Sequence, residues 1–207
     1  MNILSSQPPA SLTLTALSGI PLLNPGDNLV LIILQSLKQS NLSLENGDIL
    51  VIAQKVVSKA EGRYARLADI NPSERAFKLA EITGKDPRLV ELILSESREI
   101  VRHSKRTPHS SGVVVAENHQ GVVLANAGID SSNVESKGED EKVLLLPKDP
   151  DKSADNIKKK LQLKTKVRLA VIINDSLGRA WRNGTTGTAI GVSGIPALLD
   201  LRGRPDL

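Results

Sequence analysis

Residues 167–195, VRLAVIINDSLGRAWRNGTTGTAIGVSGI, constrain the fold more than any other stretch. An apolar run over 169–173 stops at Asn174-Asp175-Ser176. Gly178 follows, then Arg179 and Arg182 around the only tryptophan, Trp181, and then Asn183-Gly184-Thr185-Thr186-Gly187-Thr188. A second apolar stretch over 189–195 carries Gly191 and Gly194. The pattern predicts a buried strand, a polar loop with a carboxylate at its mouth, and a glycine- and threonine-rich return. Backbone N–H groups, hydroxyls and arginines in such a loop can hold phosphates, and an aspartate can hold a metal. The same residues also make an ordinary strand–loop–strand connection.

The size and content of the chain narrow the classes open to it. Its 207 residues lie between one large domain and two small ones, and can bury a core without staples. With no cysteine, disulfides, thiolate metal sites and a cysteine nucleophile are excluded, which fits a reducing compartment. His103, His109 and His119 lack zinc-ligand spacing. Three aromatic residues are too few for base-stacking platforms. The net charge of +4 suits an anionic small molecule or a solvated basic surface. The longest apolar run, 29–34, is far below a membrane span, and no signal-like start is present, so a soluble cytoplasmic protein is expected.

Residues 1–11 read as a loose tail, and 12–207 as the folded domain. Alternation over 12–17 predicts a strand, and Pro21 keeps the next residues out of a central one. Asn24-Pro25-Gly26-Asp27 starts a helix with Leu29, Ile32, Ile33, Ser36 and Leu37 on one face. The turn at 45–48 launches a buried strand over 49–53, which fixes Gln54, Lys55, Ser58 and Lys59 to the end of a rigid element. Asn71-Pro72-Ser73-Glu74 reads as a helix start capped by Asn71, with Gly84 as the stop, and Asp86-Pro87 starts a further helix. Residues 98–107 are basic. Residues 112–116 and 121–125 are near copies and form a hairpin. The second of these strands ends on Asn126-Ala127-Gly128-Ile129-Asp130, with Asn133 spaced to face Asp130, which is also an Asx-turn pattern. A short strand over 142–147 and an amphipathic helix over 154–163 precede the opening stretch. Mixed strands and helices without a βα repeat predict an α+β fold, with mixed and antiparallel sheets flanked by helices. No GxxxxGK[ST], GxGxxG or GxSxG motif is present.

What remains for chemistry is Asp130 and Asp175 at two strand ends, Ser176 beside one of them, Lys55 and Lys59 at a third, and the Arg/Gly/Thr loop. Aspartates and hydroxyls are hard ligands for Mg²⁺ or Mn²⁺, and lysines complement phosphate oxygens. Together they describe metal–nucleotide binding and phosphoryl or acyl-phosphate chemistry. Strand ends in any α+β domain also collect polar residues, so composition and spacing leave both readings open.

Several segments carry a family resemblance: Gly19-Ile20-Pro21-Leu22-Leu23, VIAQKVVSKAEGR over 51–63, NPSERA over 71–76, NAGIDSSNV over 126–134, and INDSLGRAWRNG with AIGVSGI. In order and spacing these resemble the coenzyme F420-0:L-glutamate ligase family over residues 12–207. The resemblance implies an enzyme that adds L-glutamate to the lactyl carboxylate of F420-0, with GTP, through an acyl phosphate, using Mg²⁺ or Mn²⁺ and K⁺ as a further cation. It implies metal ligands at Asp130, Asp175 and Ser176, and GTP contacts at Ile20, Pro21, Leu22, Leu23, Gln54, Lys55, Lys59 and Asn133. Ser176 stands where threonine is usual, and Gln54-Lys55 where Ser-Thr is. It further implies the family's own α+β architecture as an intertwined homodimer. Its partners would be small molecules, with neither nucleic acid nor membrane among them. Family members usually continue past the position of Leu207 into a further nucleotide segment, so weak GTP binding and little ligase activity are expected of these 207 residues alone. Two alternatives stand beside this reading: a related ligase with another amino acid or carboxylate, and a shortened non-catalytic relative. A nucleic-acid binder is more distant, because the basic segment 98–107 lacks aromatic residues.

Overall fold

A computed structural model describes residues 11–130, 141–179, 181 and 183–203. Among these residues, helices α1 (Leu29–Gln39), α2 (Gln54–Ala60), α3 (Glu74–Thr83), α4 (Pro87–Ser95) and α5 (Pro150–Thr165) alternate with eight strands. The strands are β1 (Ile49–Ala53), β2 (Tyr64–Arg66), β3 (Ser97–His103), β4 (Val114–Asn118), β5 (Val123–Ala125), β6 (Lys142–Leu144), β7 (Ala170–Gly178) and β8 (Thr185–Ser193). They form a mixed sheet β1-β7-β8, an antiparallel pair β2-β6 and an antiparallel meander β3-β4-β5. The expected α+β class is therefore observed, in several small sheets.

In the mixed sheet β1 runs parallel to β7, with Ile52 beside Ile173, and β7 runs antiparallel to β8. Helix α5 lies on β7 and β8, and its buried residues Ala154, Ile157 and Leu161 fall on one helical face. Gly191 permits this approach, since a Cβ there would meet the Pro150 carbonyl at 2.5 Å. The Asp149 side chain caps α5 by accepting from the Lys152 N–H at 3.0 Å, and Pro150 occupies the first turn, where its missing N–H costs nothing. These residues, with α1, form one apolar core around Ile33, Val57, Leu161, Val171 and Ile173. A second core joins α3 and α4 to the meander through Ala80, Val90, Ile93, Val114 and Ala116, and extends to Ala127, Ile129 and Val143.

Several boundaries differ from the sequence reading. Residues 12–17 form no strand: no described strand pairs with them, and Leu12 and Leu14 are 83% and 86% exposed. β1 is an edge strand in which only Ile52 is buried, because one side of the sheet edge is open. The cap of α3 is Ser73, whose side chain accepts from the Ala76 N–H, and not Asn71. Gly84 ends that helix at φ 67°, as its position predicts. The basic segment contains β3, whose charged residues lie on an exposed strand that ends at His103. The largest change concerns the opening stretch. β7 does not stop at Asn174 but continues through Asp175 and Ser176 to Gly178, paired with the threonine-rich return as β8, with a bulge after Ile173.

Candidate functional site

A cleft of about 440 Å³ opens where the two cores meet, lined by α2, the turn after β5 and the outer half of β7. Each wall is delivered by a different local device. β1 passes into α2 with no linker, so Gln54 and Lys55 occupy the first turn of α2, directly on the end of β1. Gln54 is buried, and its Nε2 donates to the Ser58 hydroxyl at 2.6 Å.

The second wall is the turn Asn126-Ala127-Gly128, with φ of 53°, 52° and 78°. Three successive left-handed residues reverse the chain sharply, and only glycine adopts this region without cost. Asp130 follows at once. Its backbone is fixed to Leu144 on both sides, by an N–H donated to the Leu144 carbonyl at 2.9 Å and a carbonyl accepting the Leu144 N–H at 2.8 Å. The third wall is β7. Asp175 faces the cleft, opposite Thr188 of β8.

The carboxylates of Asp130 and Asp175, 45 residues apart in sequence, thus border one cleft. Lys55 Nζ lies 2.5 Å from Asp130 Oδ2, an ion pair whose lysine side chain is 41% exposed and whose aspartate is 20% exposed. Burial pushes the Asp175 carboxyl above its ordinary range, and the Asp130 charge adds to this. The Ser176 N–H, donated to Asp175 Oδ1 at 2.8 Å, and the Lys55 ammonium act the other way. A half-buried carboxylate beside a second carboxylate is an environment that favours an added cation.

The other residues singled out in the sequence fall in different places. Ser176 borders the cleft from the opposite face of β7, since successive strand residues alternate, and is exposed across from Gly187. Lys59 lies one turn beyond Lys55 on α2, half-buried and outside the cleft lining. Leu23 is buried in the first core, Pro21 and Leu22 are exposed, and Ile20 borders a separate apolar groove against α1 and β1. That segment reaches the end of α2 through the Gly26 N–H, which donates to the Ala60 carbonyl at 2.8 Å. Asn133 lies outside the described residues.

Two features of the cleft escaped the sequence reading. One is the pairing of Lys55 with Asp130. The other is Asn126, a cleft residue whose Oδ1 is enclosed and makes no hydrogen bond among the described residues. The Asn-Ala-Gly sequence after a strand was a signal for the reversal, but nothing in it indicated the enclosed oxygen.

Known proteins are similar to this chain in sequence. The sequence profile described as F420-0:Gamma-glutamyl ligase matches residues 19–207. The chain belongs to this family. Among relatives of the F420-0:gamma-glutamyl ligase family, the coenzyme F420:L-glutamate ligase of Methanothermobacter thermautotrophicus is 45% identical over 196 residues, covering 95% of this chain and 74% of the relative. The protein of the same name from Methanocaldococcus jannaschii is 46% identical over 164 residues, covering 79% of this chain and 61% of the relative. That from Archaeoglobus fulgidus is 41% identical over 189 residues, covering 91% and 70%. The chain therefore spans between about three-fifths and three-quarters of the length of these relatives. No helix among the described residues is long and apolar enough to cross a membrane.

Proposed function

We propose that this chain carries the metal–nucleotide site of an amide-forming ligase that joins L-glutamate to the carboxylate of F420-0, with GTP as phosphoryl donor, acting as a homodimer. The names of the relatives support the substrates. The observation that carries the site is the convergence of Asp130 and Asp175 on one cleft beside Lys55.

The residues fit Mg²⁺ or Mn²⁺. Among the described residues no group of three or more His, Cys, Asp and Glu could hold a metal, so a closed protein cage is not on offer. Two carboxylates with neutral oxygens nearby suit a hard cation that keeps water and takes its remaining ligands from substrate phosphates. Asp130 and Asp175 would hold it. When bound, the cation draws negative charge from the phosphate oxygens.

A carboxylate is a poor acyl donor because oxide is a poor leaving group. In the proposed reaction a carboxylate oxygen of F420-0 attacks the γ-phosphorus of GTP and GDP leaves. The glutamate amine then attacks the acyl carbon, the carbon–oxygen bond to phosphate breaks, phosphate departs, and the amine loses its proton to solvent. Lys55 contributes positive charge to the transferring group, and the rigid backbone at Asp130 and β7 fixes the carboxylates beforehand.

The test puts these residues in place of the matching segment of the Methanothermobacter relative and supplies F420-0, L-glutamate, GTP and Mn²⁺. Glutamate-dependent GDP release and a product heavier by one glutamyl residue are expected, and both should vanish in Asp130→Asn with the circular dichroism spectrum unchanged. Turnover that survives Asp130→Asn refutes the site, and a folded protein that makes no glutamyl product refutes the reaction.

A further inference from the structure

We propose that Lys55 and the divalent cation compete for the same carboxylate, so that binding the cation at Asp130 releases the Lys55 ammonium to the phosphates. This rests on the cation site argued above and adds a coupling to it. The decisive contact is Lys55 Nζ at 2.5 Å from Asp130 Oδ2. A Mg²⁺–oxygen bond is about 2.0–2.1 Å long, so a cation bonded to that oxygen and the ammonium would crowd each other, with like charges.

The two groups differ in their freedom to yield. Asp130 is tied through its backbone to Leu144 on both sides, and its side chain is four-fifths enclosed. Lys55 hangs from the first turn of α2 by a flexible four-carbon stem, with 41% of its side chain exposed. The lysine therefore swings and the aspartate stays. Its Cα remains fixed at the cleft wall, so the displaced ammonium stays at the cleft, where an incoming triphosphate needs a counter-charge. The contact thus serves two states: it compensates Asp130 before the cation arrives, and it supplies a cationic donor to the phosphates afterwards. Nucleotide and cation would then bind cooperatively without a change of fold.

A lysine merely adding positive charge near the site would also weaken cation binding, so the test compares two lysines on one helix. Mn²⁺ binding is measured by the loss of the free-ion electron paramagnetic resonance signal, at fixed low ionic strength, for wild type, Lys55→Met, Lys55→Gln, Lys59→Met and Asp175→Asn. Folding of each variant is checked by circular dichroism, and Lys55→Gln serves if the methionine variant fails to fold. Removing a unit charge in contact with Asp130 is expected to tighten Mn²⁺ binding about tenfold, since close charge pairs near a protein surface interact strongly even after screening. Lys59→Met, with the same change in net charge and no place in the cleft lining, is expected to change it by less than about twofold. Asp175→Asn is expected to abolish the site. Mn²⁺ binding unchanged or weakened by both Lys55 variants overturns the competition, as does an equal gain from Lys59→Met, while Asp175→Asn still identifies the site. If wild type binds no Mn²⁺, or binds it regardless of Asp175, the cation reading fails and the competition fails with it.

Discussion

Replacing Gly128 by alanine tests the device that delivers Asp130 to the cleft. Two costs add at this position. The backbone sits at φ +78°, where an L-residue costs about 1–2 kcal/mol. The new Cβ would also lie 2.6 Å from Leu146 Cδ1, 2.8 Å from Leu146 Cγ and 3.0 Å from Leu124 Cδ1. Leu124 and Leu146 are core residues, 5% exposed each, so neither can swing into solvent, and overpacking of this kind costs about 1–3 kcal/mol. Gly128→Ala should therefore destabilise by about 2–5 kcal/mol. Gly47 supplies the control: its φ is +97°, and a Cβ there meets nothing within 4 Å. Gly47→Ala should cost only the backbone contribution, about 1–2 kcal/mol. Urea unfolding of wild type and the two variants, followed by circular dichroism, measures both. At roughly 2–4 °C per kcal/mol for a chain of this size, the melting temperatures should separate as well. Equal losses for the two variants would show that Leu124 and Leu146 yield freely, and would refute the argument that the turn is held by packing.

Two further outcomes follow from particular contacts. Burial raises the Asp175 carboxyl, so the folded protein holds that proton more tightly than the unfolded chain, and stability falls as pH rises from 3.8 through the raised value. Asp175→Asn should then melt higher than wild type at neutral pH, with the difference closing below about pH 4; an equal or lower melting temperature at pH 7 would count against a desolvation cost. Asp149→Ala removes the acceptor for the Lys152 N–H at the start of α5 and should cost about 0.5–2 kcal/mol in thermal or urea unfolding, whereas no loss would mean the α5 terminus is satisfied without its cap.

The elements of the fold written in local rules were legible in the chain. The stop of α3 at Gly84, the start of α4 at Asp86-Pro87 and the hairpin of β4 and β5 each depend on residues within a few positions of one another. Elements that depend on a distant partner were not. Residues 12–17 alternate like a strand, but alternation forms no strand without a neighbour to pair with. β3 reads as a basic surface segment, because an exposed strand held by pairing with β4 needs no apolar run. The unbroken apolar run of β7 ends at Ile173, whereas pairing with β8 carries the strand on through Asp175 and Ser176 to the buried Leu177. For the site, residue type sufficed to pick out Asp130, Asp175 and Lys55, but not their relations. The Lys55–Asp130 contact joins residues far apart in sequence, and the placement of Ser176 on the other face from Asp175 follows only once that stretch is known to be strand.

The division of the interior into two cores has a consequence for how the molecule breathes. Asp130 is carried by the core of α3, α4 and the meander, and Asp175 by the strand that crosses the core of α1 and α5. A ligand that bridges these carboxylates acts as a removable crosslink between two cooperative units. It leaves openings within either unit unaffected, and makes rarer those that separate the two units. In native-state hydrogen exchange, amides at the β5–β7 seam would gain protection on ligand binding, while those deep within α3 or α5 would keep theirs unchanged.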